Sequence, residues 1–213
     1  NVNLFEAYDK ISNLTHSPSE SHSYADSLLI VAKGLTKDYY IRALQTKATA
    51  YYFEKDYINS LNYELKALNE TDKEKEPYIY YKGIYGVGLS YFHIQEYDKS
   101  YQYFKKARIF FEKNVHYSYT LGYFTSIYRE AFALYYLNRH TESKALINIG
   151  LSKINQLKPY DLYYKKPYFH YVQALNLYQE KKYNESIELL KKNVAIIAEN
   201  DDFANEATAY FYL

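Results

Sequence analysis

The sequence has no cysteine, methionine or tryptophan, and only six glycines and four prolines among its 213 residues. Without cysteine, disulfides, thiolate nucleophiles and cysteine-ligated zinc are excluded together. The compartment stays open, because a cysteine-free chain is stable on either side of a membrane. An excess of charge is also missing: 26 Lys and Arg stand against 25 Asp and Glu, a net charge of +1. Nucleic-acid binding, which draws on a clustered basic excess, is therefore not expected of this segment. No window approaches the roughly 18–20 apolar residues that span a bilayer, and the start lacks the charged-then-apolar pattern of a signal peptide. With Asn1 in first place and the apolar run Ala209-Tyr210-Phe211-Tyr212-Leu213 at the end, the expectation is a fragment of a longer chain.

What is present is a composition close to that of soluble globular proteins, 48% hydrophobic and 24% charged. Tyrosine dominates with 31 residues, beside abundant Lys, Asn and Ile. All four are favoured by AT-rich codons, so composition alone supplies part of any aromatic cluster.

Internal similarity carries most of the information. Four strings align: Asp56-Tyr57-Ile58-Asn59-Ser60, Glu96-Tyr97-Asp98-Lys99-Ser100, Arg139-His140-Thr141-Glu142-Ser143 and Lys182-Tyr183-Asn184-Glu185-Ser186, their serines 40, 43 and 43 residues apart. A weaker copy, ending at Ser27, lies 33 residues earlier. Twelve residues before each serine stands a small residue, Ala48, Gly88, Ala131 or Ala174, and nine before it a bulky one, Tyr51, Tyr91, Leu134 or Leu177. Seven residues after it come Ala67, Ala107, Gly150 and Asn193. Small residues at these places let antiparallel helices approach at the short end of the usual ~8–10 Å range, while the bulky ones fill the flanking gaps.

This pattern resembles the tetratricopeptide repeat, a helix-turn-helix with a small, aromatic, turn-aromatic, small, aromatic, small signature. The second copy matches most fully, through Ile84, Gly88, Tyr91, Tyr97, Ser100, Phe104 and Ala107. The first departs at Glu64, where the family prefers an aromatic, the third has His140 at the turn, and the fourth has Asn193 at its last small position. The resemblance implies an all-α fold, a right-handed superhelix of antiparallel helical hairpins. Over 1–213 it gives one array, with hairpins at about 2–35, 37–71, 78–114, 118–157 and 161–199 and a further helix opening near 202. Each hairpin leaves an apolar face for its neighbour to cover. Asp38, Asp56 and Asp98 are placed to accept orphan N–H groups at helix starts. Pro77 and Pro159 fall between hairpins, and Pro167 suits a first helical turn or a kink.

The resemblance further implies that the first helix of each hairpin lines a concave, partner-binding face. The positions so implied are Arg42, Gln45, Thr49, Tyr52 and Phe53; Lys82, Tyr85, Leu89, Phe92 and His93; Thr125, Tyr128, Phe132, Tyr135 and Tyr136; and Tyr168, Tyr171, Leu175, Tyr178 and Gln179. Tyrosine offers a rigid apolar ring with a hydrogen-bonding tip at little rotamer cost, which suits a protein or peptide ligand. The same rings also suit packing between helices. Members of the family that grip a C-terminal carboxylate combine Lys, Asn and Arg; here Arg42 and Lys82 match but the asparagines do not, so that mode is not expected.

No motif with a catalytic mechanism survives. The six histidines lack metal-ligand spacing, Gly83, Gly86 and Gly88 lie inside a helical repeat rather than in a phosphate loop, and the acid pairs fall in polar linkers. The expected function is a protein- or peptide-binding scaffold or sensor without cofactor or metal. Its long repeats resemble the N-terminal segments of bacterial transcriptional regulators and histidine kinases. The alternative is a small ligand or glycan stacked on the aromatic face; a helical array reading RNA bases fits the period and the neutral charge less well.

Overall fold

The computed structural model describes residues 2–14, 18–114, 116–199, 209 and 212. Among these, ten α-helices and one 3₁₀ turn occur and no strand: α1 (Val2–Leu14), α2 (Pro18–Ala32), α3 (Lys37–Phe53), α4 (Tyr57–Glu70), α5 (Pro77–His93), α6 (Tyr97–Glu112), α7 (Tyr117–Tyr136), α8 (His140–Lys153), the 3₁₀ turn Ile154–Gln156, α9 (Pro159–Gln179) and α10 (Tyr183–Glu199). The helix expected from about 202 falls outside the described residues, apart from Ala209 and Tyr212, which are helical. The chain forms two compact units, Asn1–Tyr103 and Phe104–Leu213.

In the first unit, Phe5, Leu28, Ala32 and Ala43 form one core cluster, and Ile41, Leu44 and Ala67 the next. α1 is tied to α2 by Ser12 and Ser21, each hydroxyl donating to the other residue's carbonyl at 3.2 and 3.3 Å. In the second unit, α7 and α9 pack through Phe124, Ile127, Phe169 and Val172, all fully buried. At Gly150 of α8 an added Cβ would collide with the Phe169 ring of α9, so only glycine fits.

One turn recurs four times. Lys55, Gln95, Asn138 and Lys181, each five residues before a repeat serine, hold φ of 64°, 65°, 58° and 61°. Each reverses the chain in a Schellman closure. In the first, Lys55 N–H donates to Tyr52 O and Asp56 N–H to Tyr51 O, both at 3.0 Å. The other three repeat those bonds at Gln95 and Glu96, Asn138 and Arg139, and Lys181 and Lys182. The turn aromatic then meets a ring on the preceding helix edge-to-face: Tyr52–Tyr57, Phe92–Tyr97, Tyr135–His140 and Tyr178–Tyr183, with centroids 5.1–5.6 Å apart and planes at 63–69°. His140 serves in place of tyrosine, as an aromatic edge.

The in-phase serines are all buried. Ser100 and Ser186 donate to the carbonyls of Gly88 and Ala174, twelve residues back, at 2.9 and 2.8 Å. Ser60 and Ser143 instead receive hydrogen bonds from the following hairpin, from the Ser90 hydroxyl at 3.3 Å and the Asn176 amide at 2.9 Å. Asn193, at a position otherwise small, is also accommodated by bonding: its amide donates to Leu189 O at 2.6 Å, and its Oδ1 meets His170 Nδ1 at 3.1 Å.

Two helices stop short of the ends that the periodicity suggests. α2 ends at Ala32 because Gly34 and Leu35 turn back on the Val31 and Ala32 carbonyls. α8 ends at Lys153, tightening into the 3₁₀ turn ahead of Pro159, whose ring holds Lys158 extended at ψ 154°. Asp56 caps α4 by accepting from Asn59 N–H at 3.1 Å, and Pro77 and Pro159 occupy the first turns of α5 and α9. Pro167 lies inside α9.

The turn residues give a direct test. A non-glycine residue in the left-handed region costs roughly 1–2 kcal/mol, and glycine gives back about 0.5–1 kcal/mol through its freer unfolded chain. Gln95→Gly, at an exposed site, is expected to raise stability in urea denaturation by about 0.5–1 kcal/mol, whereas Gln95→Val lowers it.

Candidate functional site

The face implied by the repeat register has two different characters. In the first unit it is carried by α3 and α5. Arg42, Gln45, Thr49, Tyr52, Tyr85, Leu89 and His93 are half-buried there, Lys82 and Phe53 are exposed, and Phe92 is buried. α3 and α5 meet along this face through side chains: the Gln45 amide lies over Gly83, and the Tyr52 hydroxyl is 2.9 Å from His93 Nε2. His93 is further held by the ring of Tyr57, stacked at 4.4 Å and 16°. Thr49 donates its hydroxyl to the Gln45 carbonyl. Phe53, 67% exposed, stands at the edge of this aromatic group.

Arg42 is engaged by α1. Its guanidinium bonds Glu6 at 2.7 and 3.1 Å and Asp9 at 2.7 Å, and it lies over the rings of Phe5 and Tyr39. The Arg42 hydrogen bond draws the Glu6 carboxyl below its ordinary value. Asp9 also accepts from Thr46 at 2.8 Å. The charge at this end is thus committed within the unit. Nothing in the spacing of Glu6 and Asp9 marks them as partners of Arg42, because they fall in the N-terminal copy where the repeat is weakest.

In the second unit the equivalent positions are largely interior. Tyr128, Phe132, Tyr135, Tyr168, Tyr171 and Leu175 are buried; Thr125 is half-buried, and Tyr136, Tyr178 and Gln179 are exposed. Tyr128 stacks on Tyr168 at 5.3 Å, Phe132 meets Tyr171 edge-on at 5.5 Å, and the Gln179 amide donates to the Tyr135 hydroxyl at 3.0 Å. Tyr212 closes the group, its ring 4.7 Å from Tyr178. Burial and a hydrogen bond with Tyr135 raise its phenol above the ordinary value. Here the rings that register places on the binding face bind α7 to α9.

Among the described residues, no group of three His, Cys, Asp or Glu is disposed to hold a metal, and no helix is long and apolar enough to cross a membrane. A cavity of about 30 Å³ lies between α8 and α9, lined by Lys144, Ile147, Asn148, Gln173, Asn176, Leu177 and Glu180. It has room for water only.

No protein-family model matches the chain, and no curated protein matches it by sequence. Its fold is nonetheless similar to solved structures. The apo form of RapI superposes with a TM-score of 0.73 at 14% identity, covering 100% of this chain and 82% of that one. Two structures of a Podosopora anserina putative kinesin light chain with nearly identical TPR-like repeats give TM-scores of 0.67 and 0.65 at 12% and 14% identity. They cover 94% and 93% of this chain and 95% of each of those. The chain has the fold of a tetratricopeptide-like α-solenoid.

The contrast between the two units is measurable. Tyr128→Ala and Tyr135→Ala remove rings that are 5% and 6% exposed and are expected to destabilise the protein by about 3–5 kcal/mol. Phe53→Ala is expected to change stability by no more than about 0.5 kcal/mol. Urea denaturation of the three variants reads the difference.

Proposed function

We propose that the chain is a peptide-binding scaffold and that the α3–α5 face of the first unit receives the ligand. The observation that carries this is the row of half-open side chains on that face. Gln45, Tyr52, Tyr85, Leu89 and His93 are each half-buried and keep surface, and Tyr52 and His93 are tied to each other. Lys82 adds an exposed cation. Rings and an amide fixed on rigid helices bind with little ordering cost, which favours an extended or helical peptide carrying apolar side chains. The tetratricopeptide-like fold supports the reading as fold-level analogy.

On this proposal the twenty register positions divide by accessibility. Tyr128, Phe132, Tyr135, Tyr168, Tyr171 and Leu175 hold the second unit together, while Thr125, Tyr136, Tyr178 and Gln179 retain surface for a ligand. In the wider proposal the chain is the regulatory segment of a bacterial signalling or transcription-regulating protein. That role rests on the resemblance of its long repeats to such segments.

A peptide library displayed on phage, panned against the chain, supplies ligands whose affinities are then read by fluorescence anisotropy. Lys82→Ala, Tyr85→Ala and Leu89→Ala are each expected to weaken binding about tenfold or more while leaving the urea midpoint close to wild type. Selected peptides that bind all three variants at full strength would remove the ligand from this face. Oligosaccharides that bind where no peptide does would replace the peptide with a glycan.

A further inference from the structure

Glu64 of α4 breaks the pattern of its own repeat. Four residues after the repeat serine, the other copies place Phe104, Ile147 and Leu190, which are 0%, 1% and 1% exposed. Glu64 points a carboxyl into the same layer. The residue as a whole keeps some surface, but Oε2 is sealed from solvent and meets no hydrogen-bond partner among the described residues. The carboxyl rests on Gly86 of α5, where an added Cβ would come within 2.5 Å of Oε1. Glycine at 86 thus makes room for the acid, and the two residues form a matched contact between α4 and the helix that carries Lys82, Tyr85 and Leu89.

The cations of α3, which packs against α4, are committed elsewhere. On α3, Lys37 pairs with Glu70, Arg42 with Glu6 and Asp9, and Lys47 with Asp26. Lys82, on α5 one turn before Gly86, is the charge that acts on Glu64. An unpaired carboxylate in such a layer is costly, so the acid holds its proton there.

We propose that Glu64 is a proton-operated latch between α4 and α5. With the carboxyl neutral, α4 closes on Gly86 and fixes the α5 side of the face; when the proton leaves, the carboxylate turns outward toward Lys82 and the contact loosens. Retaining an acid where an apolar residue would pack better is the kind of local conflict that function sustains.

Burial pushes the Glu64 carboxyl up from 4.5 to about 8, against the pull of Lys82. The sign follows from linkage. Below about pH 4.5 both folded and unfolded chains carry the proton, and Glu64 costs nothing in ionisation. As pH rises from there to about 8, only the unfolded chain gives the proton up, so stability falls, and above about 8 the full penalty stands. The latch therefore releases on the alkaline side of neutrality.

The latch requires no ligand, so its failure and that of the peptide-binding proposal are separable. In the full chain, ¹³C NMR of the Glu64 carboxyl is expected to titrate near pH 8. Between pH 5 and 8.5 the wild-type unfolding constant is expected to rise about a hundredfold or more relative to Glu64→Gln. Amide exchange in α4 and α5, corrected for its intrinsic pH dependence, should accelerate at pH 9 in the wild type and not in the variant. A midpoint near 4.5, parallel stability profiles, or exchange that is the same in both proteins would each overturn the latch. Should Glu64→Gln not fold, the titration and the exchange of the native chain decide the matter.

Discussion

The hairpins depend on a clasp made in the same way four times. A residue in the left-handed region turns the chain, two backbone hydrogen bonds close the helix end, and the turn aromatic meets a ring in the last turn of the helix edge-on. Forcing a non-glycine residue into that region costs roughly 1–2 kcal/mol. An edge-to-face pair contributes about 0.5–1.5 kcal/mol, and each hydrogen bond about 1 kcal/mol net, so the clasp offsets the strain it contains. It also sets the register of everything that follows. With the turn fixed, the serine five residues on faces inward, the small residues of adjacent helices come together, and the face positions take their places on the first helix of each hairpin.

The clasp also decides what the tyrosines can do. Tyr52, Phe92, Tyr135 and Tyr178 belong to the implied binding face, yet each is the ring against which a turn aromatic packs. Their primary duty is structural, and surface remains only where neighbouring helices leave it. In the second unit α7 and α9 approach closely enough for Tyr128 to stack on Tyr168, and most of the implied face is taken into the core. In the first, α3 and α5 meet through the tips of Tyr52 and His93, and the rings and amides between them stay half-open.

The hairpins were legible in the sequence because small and bulky residues recur at fixed distances from the serines, and helix packing tolerates little else at those places. His140 was legible as an aromatic stand-in because the repeat puts a ring at that position. The left-handed residues were not legible: Lys55, Gln95 and Lys181 carry no signal for positive φ, and the chain's glycines lie elsewhere. Nor was the difference between the two faces. Register places Tyr85 and Tyr128 equivalently, but whether a ring is open or enclosed depends on the spacing of neighbouring helices, which a one-dimensional pattern does not encode. Arg42 was placed by register, while its capture by Glu6 and Asp9 depends on how α1 lies against α3.

Two interior carboxylates show why burial alone does not decide what an acid does here. Glu130 is 2% exposed on α7, and burial raises its carboxyl above the ordinary value. Arg108, however, donates to it at 2.5 Å and pulls it back, and Arg108 is itself braced by Glu112. That pair joins α6 to α7, and removing either partner would strand the other's charge. Oε2 of Glu64 meets no such donor among the described residues: the carboxyl rests on Gly86, and Lys82 acts on it only through space. The paired acid keeps an arginine within hydrogen-bond reach, and the unpaired acid exchanges its proton where the helices can respond. The same residue type therefore serves as a fixed tie in one unit and as a titratable contact in the other, and the deciding difference is whether an arginine or a glycine faces it.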